Sequence, residues 1–398
     1  MAKILPFKAV RPTRDKISLV TSRSYDEYTA AELAAQLDFN PFSFLHVLHP
    51  GYVNVQKEDT SKRYRQVRAK YEDFKADATL KQETQPVFYL YELQSKNRSF
   101  TGIIAAVSID DYFEGVIKKH EDTLQYRVDQ FGEYLHITGF NTEPVLIAYP
   151  QNDVLEKWIH NRKHKRPINH FTTPNRDKHT LWRIKEKDET DFITKHFEAV
   201  PNLYIADGHH RCASAAKLFS EQDTKNENLN FFMAFLISEN EVKIHEYNRV
   251  ITDLNGLSKE NFLKRLSSDF MIGNKYQELW KPGRRGEFGM YLDGEFYALQ
   301  QKIENAGLDA QNLYDSVLNP VLGIGDLRID SRIEYIPGNT AVTKIKDAVD
   351  SGEFEVGFTL FPVDFKCIKK LADNNEIMPP KSTYIEPKFR SGLVIYEI

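Results

Sequence analysis

The sequence predicts an α+β fold, and three observations predict it. Apolar runs of strand length alternate with amphipathic stretches of helix length. Several of those runs come in adjacent pairs joined by short polar turns, as hairpins do. The steady βαβα alternation of a doubly wound sheet is absent. With 398 residues, 41% of them hydrophobic and 12% aromatic, the chain carries enough apolar surface for a sizeable core.

Each element has its own signal. Lys3 to Val10 reads as a short strand stopped by Arg11-Pro12. Thr29 to Leu37 reads as a helix, with Thr29 as cap and Glu32 completing a capping box, ended by Asn40-Pro41. Tyr64, Val67, Tyr71 and Phe74 recur at helical spacing. Pro86–Leu93 and Phe100–Ile109 read as strands around a polar turn, and Pro144–Ala148 as another strand. Gln151–Lys165 and Asp188–Ala199 read as helices, the second with acids in its first turn. Leu203–Ala206 is a buried-strand tetrad, Asp207-Gly208 a turn, and His209–Phe219 a helix. Phe231–Ile237 and Val242–Val250 read as a hairpin about Glu239-Asn240. Gly286–Leu299 holds two strands around Asp293-Gly294. Phe262–Leu266, Leu308–Leu322, Ala341–Val349 and Val363–Ala372 read as helices, and Phe354–Leu360 and Ser382–Pro387 as strands. The softest segment boundary is expected near Lys225–Leu229, with others near Pro150 and Leu254, and the chain is divided into 1–150, 151–253 and 254–398.

Composition removes several function classes. The balance of 53 Lys+Arg against 57 Asp+Glu leaves a charge of −4, with no general attraction for nucleic acid or anionic membrane. No apolar run approaches the roughly 18 residues of a membrane span. Charges at Lys3, Lys8, Arg11, Arg14, Asp15 and Lys16 interrupt any secretory apolar region, so a cytoplasmic chain is expected. Two distant cysteines, Cys212 and Cys367, exclude a disulfide framework and a cysteine zinc site. The P-loop, zincin and nucleophile-elbow patterns are missing. His160 and His164 have metal-compatible spacing but sit in a basic, solvated stretch. The oligomeric state is not legible.

Three segments carry chemistry. In Tyr204–Ala216, YIADGHHRCASAA, an apolar strand meets Asp-Gly and opens a helix. Gly208 permits a sharp turn, and the helix start offers N–H groups and a positive dipole end to an anion. His209, His210 and Arg211 add donors there, and the Arg211 fork suits phosphate. Asp207 has the chemistry to hold magnesium or to take a proton from a hydroxyl nucleophile. The plainer reading is a helix start capped by Asp207. In Ile117–Thr123, IKKHEDT, His120 and Glu121 beside two lysines suit acid–base work. On spacing alone, a charged helix end is the more economical reading. In Met378–Lys388, MPPKSTYIEPK, the ammonium of Lys381 and the hydroxyls of Ser382 and Thr383 suit an anionic ligand. A proline-bounded edge strand fits equally well.

YIADGHHR, KKHEDT, LWRI (Leu181–Ile184), NRVI (Asn248–Ile251) and MPPKSTYIEPK resemble motifs of the DUF1015 family. FKAVRP (Phe7–Pro12) and SYDEY (Ser24–Tyr28) resemble the start of that family, and the likeness runs from about Phe7 to Leu393. Two departures stand out: Ser24 where the family usually has Pro, and Asn248 where it often has His. The resemblance implies a ParB/sulfiredoxin-like core elaborated with additional mixed sheets and helices. It also implies a phosphotransferase that phosphorylates the hydroxyl of free L-serine, giving O-phosphoserine. The implied donor is pyrophosphate, ATP or ADP, with magnesium as cofactor. On this carry-over Gly208, His209, His210 and Arg211 cradle the donor phosphate, with Lys381 as a second clamp. Asp207 holds magnesium or acts as base, and His120 and Glu121 orient serine or take its proton. Thr123, Ser382, Thr383 and Arg11 are the candidates for the serine ammonium and carboxylate. The expected partners are these small molecules, with no nucleic acid and no membrane. Two competitors are a metal-dependent phosphate-ester hydrolase using Asp207, His209 and His210, and a nucleotide-binding regulatory module. The second predicts a basic stripe or a heptad pattern, and the sequence has neither.

Overall fold

The computed structural model describes residues 1–49, 59–95, 98–221, 226–303 and 307–398, apart from the side chain of Asp26. Of the polar turn expected over Gln94–Ser99, residues 96 and 97 lie outside them. The chain forms two units: 1–119, 123–242 and 387–398 in the first, and 120–122 and 243–386 in the second.

In chain order the strands of the first unit begin with β1 (Ile4–Leu5), β2 (Val10–Pro12), β3 (Leu80–Gln82), β4 (Phe88–Ser95), β5 (Arg98–Ser108) and β6 (Ile117–Lys118). They continue with β7 (Phe140–Asn141), β8 (Val145–Tyr149), β9 (Asn169–Thr172), β10 (Lys178–Ile184), β11 (Leu203–Asp207) and β12 (Phe231–Ser238). The main sheet is mixed and runs β6-β11-β8-β12-β5-β4-β10-β9, with β1 on the end of β5. β2 and β3 form a separate antiparallel ribbon. The central strands read as continuous apolar runs because both faces are covered. On one face Phe88, Leu90, Ile103, Val145, Ile147 and Leu236 form a core. Helices Asp153–Lys163, Lys187–Glu198 and His209–Glu221 close it with Leu155, Ile159, Ile193, Phe197 and Cys212. Helix Thr60–Ala76 buries Tyr64, Val67, Tyr71 and Phe74, the four residues picked out by spacing. Helix Ala30–Phe39 starts with both halves of the Thr29–Glu32 capping box formed.

The second unit holds β13 (Lys243–Ile251), β14 (Phe270–Tyr276), β15 (Glu287–Leu292), β16 (Glu295–Gln301), β17 (Ile333–Pro337), β18 (Val356–Thr359) and β19 (Thr383–Glu386). Its antiparallel sheet runs β14-β16-β15-β18-β13-β17, and β19 pairs with the first half of β13. Phe262 and Leu266 from helix Lys259–Leu266 pack on Phe288, Met290 and Phe358. β20 (Tyr396–Glu397) belongs to the first unit, where it pairs with β7. No described helix is long and apolar enough to cross a membrane.

The architecture is α+β with several sheets, as the pattern of elements predicts. Four local expectations differ. β12 and β13 do not form a hairpin, because both edges of β12 are taken by β5 and β8. β13 instead finds β17, β18 and β19. The segment at 117–123 is not a helix end, since β6 pairs in parallel with β11. The single helix expected over Leu308–Leu322 is an α-turn at Asp309–Leu313 followed by a π-helical stretch, Tyr314–Leu318. The contact-defined division also departs from the 1–150, 151–253 and 254–398 segmentation. The helix after Pro150 packs into the same core as β8, so no break falls there. Strands β9 and β10 and helix Gln125–Thr138 were not anticipated, because their mixed polarity hides the period.

Gly102 in β5 shows how tight the central sheet is. A Cβ there would lie 2.4 Å from the Leu236 carbonyl oxygen and 2.6 Å from the Phe235 ring. Gly102→Ala is therefore expected to destabilise the fold by about 1–3 kcal/mol, the range of overpacked cores. Urea unfolding measures this directly, and an unchanged midpoint would show that β12 moves freely.

Candidate functional site

The site grows out of the end of β11. Tyr204 and Ile205 pair with Ala148 and Ile147 of β8, but the register shifts before Asp207 pairs with Leu146. The irregularity re-aims the strand end, as bulges near functional sites do. Gly208 follows with φ of 98°, a conformation costly for any side chain. A Cβ on Gly208 would also lie 3.1 Å from the Arg211 Nε and Nη2. Glycine is thus needed both for the turn and for the Arg211 side chain to fold back over it. The Cys212 amide donates to the Gly208 carbonyl at 3.0 Å, closing the first helical turn. The N–H groups of His209, His210 and Arg211 then stand outside the helical ladder, at the positive end of the dipole.

Arg211 is fixed from several sides. Its Nη2 donates to Asp207 Oδ2 at 3.2 Å, and its Nη1 to the Pro144 carbonyl at 2.8 Å and to Glu143 Oε2 at 3.5 Å. Glu143 is itself held by the hydroxyl of Ser391, which donates to its Oε1. Lys388 Nζ lies 3.3 Å from Asp207 Oδ1. Burial by itself would raise the Asp207 carboxyl, but the charges of Lys388 and Arg211 outweigh it and hold the group below the usual carboxylate range.

The two histidines differ. His209 is buried, and burial pushes its imidazole down to about 4 against the pull of Asp207. His210 Nε2 accepts the Leu124 amide at 3.1 Å, so this ring anchors the chain just after Thr123. The small residues of the helix serve packing. Ser214 Oγ donates to the His210 and Val128 carbonyls, and Ala215 and Ala216 enter the core.

His120, Glu121, Lys381, Ser382 and Thr383 belong to the second unit. There the His120 carbonyl accepts the Met378 amide at 2.9 Å, and Glu121 bridges to Met378 in parallel. Lys381 has a left-handed backbone, φ 55°, and its ammonium lies 5.2 Å from the centre of the Tyr247 ring. Ser382 Oγ donates to the Pro379 carbonyl, and Thr383 opens β19. Arg249 of NRVI is fully buried and donates to the carbonyls of Tyr247 and Lys381. No carboxylate pairs with Arg249 among the described residues, and burial lowers its guanidinium to about 10.

Within the first unit the structure joins Asp207, Gly208 and Arg211 to two residues that sequence reasoning did not assign, Glu143 and Lys388. Lys388 stood at the end of a quoted motif. Glu143 carried only the hint of an acid before Pro144 and a strand. Arg11 is elsewhere: its Nε pairs with Glu83 Oε1 at 2.8 Å, and its Nη1 reaches Asn169 of β9. Asp207 is poorly matched to a resident magnesium ion. Each of its oxygens already faces a cation, and Glu143 shares Arg211. The donor set of this unit fits an anion better.

The family described as protein of unknown function, DUF1015, matches residues 4–321. No curated protein matches the chain. Among solved structures, a mutant free serine kinase in complex with AMP is 15% identical with a TM-score of 0.40, over 76% of this chain and 94% of that one. Another free serine kinase in complex with AMP is 16% identical with a TM-score of 0.39, over 76% and 94%. A C-terminally truncated SbnI from Staphylococcus aureus is 13% identical with a TM-score of 0.40, over 73% and 85%.

The lowered imidazole of His209 makes a pH prediction. The unfolded value is about 6.5 and the folded value about 4, so the unfolded chain binds the extra proton between them. The His209 contribution is complete above about pH 6.5 and is lost as pH falls through the folded value near 4. Urea unfolding across this window is expected to show a steeper loss in the native chain than in His209→Gln. Parallel curves would mean that the ring takes up its proton without cost.

Proposed function

This chain belongs to the DUF1015 family, and we propose that it is a small-molecule phosphotransferase whose donor phosphate rests on the Gly208–Arg211 turn. The observation that carries the reading is the Arg211 guanidinium. It is pre-positioned by Asp207, Glu143 and the Pro144 carbonyl at a helix N-terminus, with Lys388 on the other side of Asp207. Fixed cations and the positive end of a helix dipole are what a phosphoryl group needs, because its transfer spreads charge over the non-bridging oxygens. In this reading the turn is the GxxR phosphate element of a ParB/sulfiredoxin-like core.

The acceptor is the hydroxyl of free L-serine. Its oxygen attacks the terminal phosphorus of pyrophosphate, ATP or ADP. The bridging P–O bond breaks, the shortened donor leaves with its electron pair, and the serine proton passes to a base. Asp207 is a weak base because Lys388 and Arg211 keep it ionised to low pH. Its role is to hold those two cations. The proton falls to the His120 and Glu121 pair, with Thr123, Ser382 and Thr383 proposed for serine and Lys381 as a further phosphate clamp. Arg11, committed to Glu83, is left out of this set.

Phosphorus NMR with L-serine and magnesium, with pyrophosphate, ATP and ADP in separate tubes, tests the reading. A phosphoserine resonance in one tube is expected. Orthophosphate without phosphoserine would favour a hydrolase, and no turnover in any tube would sink the proposal. Arg211→Ala is expected to weaken donor binding about 10-fold to 100-fold, the value of one or two charge-assisted bonds, with the fold retained. Asp207→Asn, which frees both cations, is expected to lower turnover more than it changes donor binding.

A further inference from the structure

We propose that a cleft beside the β2–β3 ribbon is a second anion site, which takes a phosphorylated small molecule of about nucleotide size. The cleft has a volume of about 400 Å³ and lies between the ribbon and the segment leading into β9. That volume is in the range of small-ligand pockets. Four of its lining residues are cations, Arg11, Arg14, Lys81 and Arg166, and none is an acid.

The cations gather there at a cost. Arg11 and Lys81 are directly opposed across the ribbon, a register at which like charges destabilise a strand pair. The acids around them are occupied. Glu83 is shared by Arg11 at 2.8 Å and Arg183 at 2.9 Å, and Asp15 forms no ion pair with the cleft cations among the described residues. Arg14, Lys81 and Arg166 form no ion pair among the described residues. Unrelieved convergence of like charge is the kind of local conflict that folds keep for function.

The chemistry of the lining selects the ligand class. Three unpaired cations demand more than one negative charge. A phosphate ester, at about −1.5 to −2, supplies it and a single carboxylate does not. The arginine forks match phosphate oxygens in pairs. Pro12, Pro167 and Ile168 give the cleft a stiff apolar side, suited to the organic part of the ligand.

The cleft is distinct from the Gly208–Arg211 turn: none of its lining residues is among those that hold Arg211.

Equilibrium dialysis with labelled ADP, and separately with labelled pyrophosphate, tests the site. The chains compared are Arg211→Ala and the same chain carrying Lys81→Glu and Arg166→Glu, two exposed positions. Arg211→Ala is expected to retain one equivalent of ligand, with affinity falling as salt rises. The added substitutions are expected to weaken that binding about tenfold or more, with an unchanged circular dichroism spectrum. Tighter binding of ADP than of pyrophosphate is expected, because only ADP uses the apolar wall. Loss of all binding in Arg211→Ala, equal binding by the two chains, or preference for pyrophosphate would each overturn the proposal. The comparison reads the cleft even if Arg211 proves unimportant, so it fails or succeeds independently of the phosphotransferase reading.

Discussion

The Arg211 guanidinium ties the candidate site together. It reaches from the first turn of a helix to the carboxylate at the end of β11 and to the carbonyl and carboxylate just before β8. Those two strands are neighbours in the sheet, so one planar group bridges the approach to both. The arrangement depends on Gly208, since a side chain there would occupy the space the guanidinium fills. It depends equally on Lys388, which lets Asp207 stay ionised while half-buried. Burying a charge without such partners would cost several kcal/mol.

Charge is treated in different ways in three places. Around Arg211 the two cations, Arg211 and Lys388, are balanced by the carboxylates of Asp207 and Glu143. At Arg249 a cation is buried on carbonyl acceptors and beside the Tyr335 ring, with no carboxylate partner among the described residues, and burial pushes its guanidinium down. In the cleft at β2 and β3 the cations are exposed to water and left mostly unbalanced. Water lowers the penalty there, so exposed repulsion is tolerable where buried repulsion would not be.

Much of the fold was legible because its signals are local. The capping box at Thr29 and Glu32 and the Tyr64–Phe74 stripe are properties of a few adjacent residues. The junction at Asp207-Gly208 announced a strand end, a turn and a helix start for the same reason. The less periodic strands β9 and β10 were missed. Their polar residues face partners that only the folded sheet supplies, as when Tyr91 and His179 bond across β4 and β10.

The sequence by itself determined the α+β class, the family likeness, most element positions and the strand–turn–helix junction at Asp207-Gly208. Backbone propensity, periodicity and helix-end chemistry act over a few residues, so they can be read along a chain. Only the tertiary structure decided that β12 and β13 part into different sheets, and that Glu143, 68 residues away, shares Arg211 with Asp207. Strand edges and charge partners are contested by every part of a collapsing chain, and the winner is set by packing rather than by adjacency.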